Sequence, residues 1–324
     1  MTVGLATAGF AIALICALIM GYAIQRGATC TVAAVSQFMQ DGKWGRFAGL
    51  TEAALWVAGG LLVARTLGLL PTLPPGQAVS GWTIVGGVLL GAGAWLNKAC
   101  VFGTVAKIGS RDWAYLATPA GFVAGAAAVP LVRHPGTQSA ADGVSPLLSF
   151  PGLALIAFTI FAAWRIFRVL VSDRGTLAAR IWAPHEATVV IGITFVILFV
   201  AAGPWAYTDL LAEVAVGMPG DLATRMLLLA ALLGGSMVAG SMSGGAGGAP
   251  FSFTNLGRTF GGGAAMGAGS VLIPGSNDGL ILVGMPLFYP HAWIAITAMC
   301  LTIAAAIGLD QWFAGRAARR HAAE

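Results

Sequence analysis

The sequence predicts an all-α polytopic membrane protein, with about nine transmembrane helices plus short re-entrant half-helices. Three observations predict it. Only 9% of the 324 residues are charged, against roughly a quarter in soluble domains. Hydrophobic residues make up 58%, more than a water-soluble domain of this size can bury while covering itself with so few charges. The apolar runs reach the length of about 20 residues that a helix needs to cross about 30 Å of hydrocarbon. Together these exclude a soluble enzyme, a nucleic-acid binder and a disordered chain.

The elements follow in order. Residues 5–24 form the first span; Met1-Thr2-Val3-Gly4 lacks the basic start of a signal peptide, so the span reads as retained. A polar passage leads to a short helix near 30–39, and residues 47–67 cross after Lys43 and Arg46. The stretch 68–80 is rich in proline and uncharged. Residues 81–96 make only a partial span ending at Asn97-Lys98-Ala99-Cys100, and a short segment runs on to Lys107, Arg111 and Asp112. Spans are expected at 113–132 and 147–166. The 165–186 connector carries Arg165, Arg168, Arg174 and Arg180 and belongs in the cytoplasm. After a span at 187–203, Asp209, Glu213 and Asp221 mark an acidic external segment. Residues 224–243 cross again, and Gly244 to Pro250 is a glycine-rich break. Short segments at 262–273 and 279–288 flank a second polar break, and 291–313 form the last span. Arg316, Arg319 and Arg320 place the C-terminus inside and, by count, the N-terminus outside.

One membrane domain, residues 1–324, accounts for the whole chain. The 46 glycines and 15 prolines suit close helix packing, kinks and half-helices. The net charge of +5 follows the positive-inside rule. Four cysteines without a CxxC or Cys/His cluster predict no disulfide framework, no metal site and no cofactor. Gly244-Gly245-Ala246-Gly247-Gly248 lacks the Lys-Ser/Thr of a phosphate loop.

A weak internal repeat relates residues 5–135 to 187–313 across the basic connector. Gly91-Ala-Gly-Ala-Trp-Leu-Asn-Lys-Ala-Cys100 aligns with Gly267-Ala-Gly-Ser-Val-Leu-Ile-Pro-Gly-Ser276, so that Cys100 falls on Ser276. Chance likeness between Gly/Ala-rich helices is the competing explanation. Paired broken segments in two halves are the usual pointer to a binding site near the midplane.

Three constellations carry chemistry. Gln25-Arg26-Gly27-Ala28-Thr29-Cys30-Thr31 interrupts an apolar stretch. Gly27 permits a turn, Thr29 can cap the next helix, and a helix start there offers free N–H groups to an anion, with Arg26 adding attraction. The plainer reading is an Arg26 that snorkels and a Cys30 that fills space. Asn97-Lys98-Ala99-Cys100 again ends a short apolar stretch in polar groups and a thiol. A thiol is soft and suits a sulfur-containing ligand; an interfacial Lys98 is the alternative. In Ser276-Asn277-Asp278, Asn277 or Asp278 can cap a helix, and Asp278 can also carry a proton. Cys16 and Cys300 sit within spans and read as packing. His291 reads as a cap or interface group.

These residues resemble the YeeE/YedE family of membrane proteins, a sulfur-transport group that includes thiosulfate permeases. The likeness rests on Gln25-Arg26-Gly27-Ala28-Thr29-Cys30-Thr31-Val32-Ala33-Ala34, on Gly91-Ala-Gly-Ala-Trp-Leu-Asn97 through Cys100-Val-Phe-Gly-Thr104, and on Pro274-Gly-Ser-Asn-Asp-Gly. It implies pseudo-symmetric halves with half-helices meeting in the middle. It also implies uptake of thiosulfate or a related sulfur-containing ion, without enzymatic turnover, past Cys30 and Cys100. Family permeases have a third cysteine in the second half, where this chain has Ser276. The implied substrate path comprises Cys30, Cys100, Ser276, Gln25, Arg26, Asn97, Lys98, Asn277 and Asp278, in a protein of the bacterial inner membrane. The alternative is a thiol/persulfide relay or sulfur sensor that works with a cytoplasmic sulfurtransferase.

Overall fold

The computed structural model describes residues 2–27, 29–70, 73–132, 145–171, 182, 184–217, 221–243, 252–273 and 275–321. The expected break at Gly244 to Pro250, the connector residues Arg174 and Arg180, and Ala28 and Pro274 of the motifs lie outside the described residues.

The first half of the chain runs through α1 (Thr2–Gly27), a short α2 (Thr31–Asp41), α3 (Gly45–Thr66), α4 (Gly81–Asn97), a short α5 (Val101–Gly109) and α6 (Ala117–Val132). After α7 (Pro151–Val171), the same order of long and short helices recurs. It comprises α8 (Pro184–Ala202), a short α9 (Tyr207–Ala215), α10 (Leu222–Met242), α11 (Phe253–Leu272), a short α12 (Asn277–Gly279, continued by the π turn Leu280–Gly284) and α13 (Pro290–His321). The packing partners recur as well. The contact of α6 with α11 matches that of α13 with α4; α1 with α10 matches α8 with α3; and short α2 against α13 matches short α9 against α6. At the centre α4 packs on α11, and α1 on α8.

Among the described residues, seven helical segments are long and apolar enough to span a bilayer, and eight if the pair α8–α9, bent by 50°, counts as one. The sequence predicts about nine, and α11 marks the difference. It is a twenty-residue helix, not the short segment expected at 262–273, but glycines and Arg258 dilute its apolarity. Those glycines serve packing: a Cβ on Gly263 or Gly267 would run into the backbone of Thr118 or Phe122 of α6. The first span is also longer than expected. Gln25, Arg26 and Gly27 belong to α1, because Ser110, Ser236 and Ser243 receive the polar side chains.

The two ends of the bundle differ in charge. The ends of α1, α5 and α10 lie together, joined by Gln25 to Ser110, Arg26 to Ser243 and Arg111 to Ser241. The starts of α3 and α8 and the end of α7 meet where Arg165 bonds Glu52 and approaches Glu186 at 4.0 Å. Arg165 and Arg168 are therefore helical, not part of a connector. Lys43, Arg46, Lys107 and Arg111 belong to this same end, and the opposite end carries Asp209, Glu213 and Asp221 beside Arg65 and Arg225. No residue of α7 is buried, and it is held to α3 by Arg165 together with Phe158 and Phe161 packed on Trp56. Arg165→Ala removes the guanidinium bonded to the mostly buried Glu52 and is expected to cost about 3 kcal/mol. A lowered melting temperature of the purified protein in detergent would show it.

Candidate functional site

The four short helices begin at Cys30, Cys100, Ala206 and Ser276. Each of these residues is an N-cap with extended backbone, following a break in the chain. The cap of α2 is thus Cys30, not Thr29, and that of α12 is Ser276, not Asn277 or Asp278. The four starts touch one another. Thr31 N–H donates to Cys100 Sγ at 3.3 Å, and Cys100 N–H donates to Cys30 Sγ at 3.4 Å, so each thiol receives an amide from the other's helix start. Asn277 Nδ2 reaches Thr31 Oγ1 at 3.4 Å, the Tyr207 hydroxyl donates to Val101 O at 2.8 Å, and the Thr208 hydroxyl bonds both Ser276 and Asp278.

The site is deep. Cys100, Asn97 and Asn277 have no exposed surface, Ser276 and Thr208 are 1% exposed, and Cys30 is partly exposed. Four helix starts meeting in one buried place put positive dipole ends there, which favours an anion. Two buried oxygens, Thr29 Oγ1 and Asn277 Oδ1, have no hydrogen-bond partner among the described residues. Groups buried in this way call for a further ligand or water.

Asn97 clamps the second break. Its amide donates to Ala99 O at 2.8 Å and Thr104 Oγ1 at 3.0 Å, while its carbonyl accepts from the Thr118 hydroxyl at 3.0 Å. It orients Cys100 through the backbone and does not itself reach the thiols' meeting point. Lys98 is exposed at the end of α4 and takes a left-handed conformation, φ 59°. Its backbone makes the break while its side chain points away. Gln25 donates to Ser110 Oγ at 2.8 Å, and Arg26 Nη1 to Ser243 Oγ at 3.1 Å, which places both toward the basic end. The structure therefore gathers Cys30, Cys100, Ser276, Asn277 and Asp278, puts Asn97 beside them, and sets Gln25, Arg26 and Lys98 apart.

Toward the acidic end opens a cavity of about 420 Å³. Its lining includes Gln77, Asp209, Glu213, Ser270, Gly279 and His291. Glu213 is paired with Arg225 at 2.5 Å, and His291 Nδ1 accepts from Gln77 N–H at 3.2 Å. Sequence reasoning missed α9 and with it Tyr207, Thr208 and Asp209 at the site. The Gly203-Pro204 break was the available signal.

Space beside the thiols is set by Gly103. A Cβ there would lie 2.8 Å from Cys30 Sγ and 3.1 Å from Ala99 Cβ, well inside van der Waals contact. Gly103→Ala is expected to displace the Cys30 thiol, change its maleimide reactivity severalfold and leave the helices folded. Titrating Cys30 with Cys16 and Cys300 replaced, Cys100 being wholly buried, checks this.

A family model described as sulphur transport matches residues 26–305, which include all four short-helix starts. No curated protein matches the chain.

Proposed function

The chain belongs to the sulphur transport family, and on that premise we propose that it is a permease for thiosulfate or a closely related sulfur-containing ion. The reading rests on one observation above the others: two thiols capping each other's helix starts at the buried meeting point of four half-helices. The helix starts attract the anion. The thiols offer soft, weak S–H contacts to a terminal sulfur. Weakness is a requirement, since an ion held tightly cannot leave. Ser276 takes the place in the second half that Cys100 holds in the first, and offers a hydroxyl instead of a thiol. Asn277 bridges the halves, and Asn97 holds the Cys100 turn in shape. Gln25 and Arg26 stand along the exit toward the basic end.

The repeated order of elements, separated by the single helix α7, supports halves of opposite orientation in the bilayer. The basic end supports a cytoplasmic assignment for that side, with the C-terminus inside, the N-terminus outside and the acidic cavity facing outward. The membrane is then a bacterial cytoplasmic membrane.

Proteoliposomes loaded with the purified protein test the reading. Saturable uptake of sulfane-labelled thiosulfate, not competed by sulfate, is the expected result, because sulfate has no terminal sulfur for the thiols. Absence of uptake by well-folded protein would overturn it.

A further inference from the structure

The permease reading leaves a carboxylate unexplained. Asp278 is 2% exposed. It accepts from the Ser276 and Thr208 hydroxyls and, at 3.0 Å, from Gly279 N–H. Among the described residues it forms no ion pair. The titratable groups packed around it are few. Helix α9 brings Tyr207, Asp209 and Glu213; α5 brings Cys100; α2 brings Cys30; and the cavity wall adds Tyr289 and His291. Arg225 of α10, the cation beside Asp209, is held by Glu213.

A negative Asp278 already satisfies one pair of helix starts. An anion at the thiols then places a second negative charge in the same buried space, where repulsion is screened far less than in water. An anion coming from outside must also pass a cavity lined by Asp209 and Glu213. A proton on Asp278 removes the conflict. A route exists for it: Asp209 lines the cavity and its Oδ1 lies 3.9 Å from where a Gly279 Cβ would stand, beside the amide that binds Asp278. Independently, Oδ1 of the neighbouring Asn277 is wholly buried with no donor among the described residues. A buried acceptor of that kind calls for a hydrogen-bond donor at the site, such as water or a protonated group.

We propose that transport is proton-coupled and that Asp278 carries the proton. A proton from water in the outer cavity passes by way of Asp209 to an Asp278 carboxylate oxygen. The anion enters the meeting point beside the neutral acid, and both leave toward the basic end, which returns Asp278 to the carboxylate. No other bond forms or breaks. By linkage, the ion and the proton favour each other's binding by the same factor. The inference rests on the permease reading.

The test uses proteoliposomes with an internal pH-sensitive dye, the membrane potential clamped at zero, and sulfane-labelled thiosulfate outside. In wild type, adding thiosulfate is expected to acidify the lumen. An inside-alkaline gradient of about one unit is expected to raise accumulation about tenfold for one proton per ion. Asp278→Asn is expected to lose acidification and accumulation far more than exchange of label at equal concentrations, and Asp278→Glu to restore both in part. Wild-type uptake without acidification, and with the same plateau at every gradient, would overturn proton coupling while leaving the permease standing. Equal loss of exchange and accumulation in Asp278→Asn, unrelieved by Asp278→Glu, would reduce Asp278 to a structural cap and overturn its role. No wild-type uptake under any gradient would defeat the permease reading, and this inference with it.

Discussion

Replacing Cys100 with alanine is expected to lower thiosulfate uptake at least about 100-fold, to the level of empty liposomes. Cys100 has no exposed surface, and its sulfur accepts the Thr31 amide. Removing the sulfur leaves that amide buried without an acceptor, at a cost of about 1–3 kcal/mol. The alanine variant alone would therefore mix loss of the path with a disturbed α2. Cys100→Ser separates them: a hydroxyl can still accept from Thr31 but lacks the soft, polarisable atom. The serine variant is expected to purify and melt like wild type and still lose most of its uptake. Cys30→Ala is expected to fall less far, since Cys30 is only partly buried and its sulfur accepts one weaker, longer bond from Cys100 N–H. Uptake rates in proteoliposomes, set beside melting curves of the same preparations, give both readouts.

The second large effect concerns the scaffold that holds the first half against the second. Helices α1 and α10 cross with their backbones in contact. A Cβ on Gly21 would overlap Leu232 O, and one on Gly235 would overlap Leu18 O. Both obstacles are main chain and cannot swing aside, so relief requires α1 and α10 to separate. Gly21→Ala and Gly235→Ala are each expected to destabilise the protein by about 3 kcal/mol, the upper range for overpacking. The change should appear as aggregation on size exclusion in detergent. The adjacent Gly234 supplies the control. A Cβ there meets nothing within 4 Å, so Gly234→Ala should hold or gain stability, since alanine favours helix by about 1 kcal/mol over glycine. A contrast between neighbouring positions isolates the steric contact from any general intolerance of α10.

Much of this architecture is legible from residues alone. Composition and run length identify a helical membrane protein, and the polar interruptions at 25–31, 97–104 and 276–279 mark three of the four short-helix starts. The repeat alignment places Cys100 on Ser276, and both prove to be N-caps of short helices. The fourth start was hidden because Asp209 and Glu213 on α9 look like residues facing water. The packing of α9 against α6 depends on contacts remote in sequence. Gln25 and Arg26 read as a break because their partners, Ser110, Ser236 and Ser243, lie 85 to 217 positions away. Lys98 illustrates the opposite error. Its charge suggested a role at the site, whereas the fold uses its left-handed backbone and leaves the side chain in the open.

The proposed permease, with its cavity facing outward, meets a physical problem of its own. Moving each elementary charge against a potential of 100 mV costs about 2.3 kcal/mol. A dianion entering an inside-negative cell faces twice that opposition, besides the acidic wall of Asp209 and Glu213. A proton entering with it offsets half of the electrical cost and removes the charge of the buried acid, which is why a buried carboxylate in an anion path is reasonable rather than contradictory.

The central claim is that the ion passes between Cys30 and Cys100. The most direct measurement is the rate at which N-ethylmaleimide modifies Cys30 in reconstituted protein whose Cys16 and Cys300 are replaced by alanine, with thiosulfate or sulfate present, while uptake is followed in the same vesicles. The account predicts that thiosulfate slows the modification, that sulfate does not, and that uptake falls in proportion to the Cys30 modified. Complete modification of Cys30 with uptake undiminished, and with no protection by thiosulfate, would contradict it.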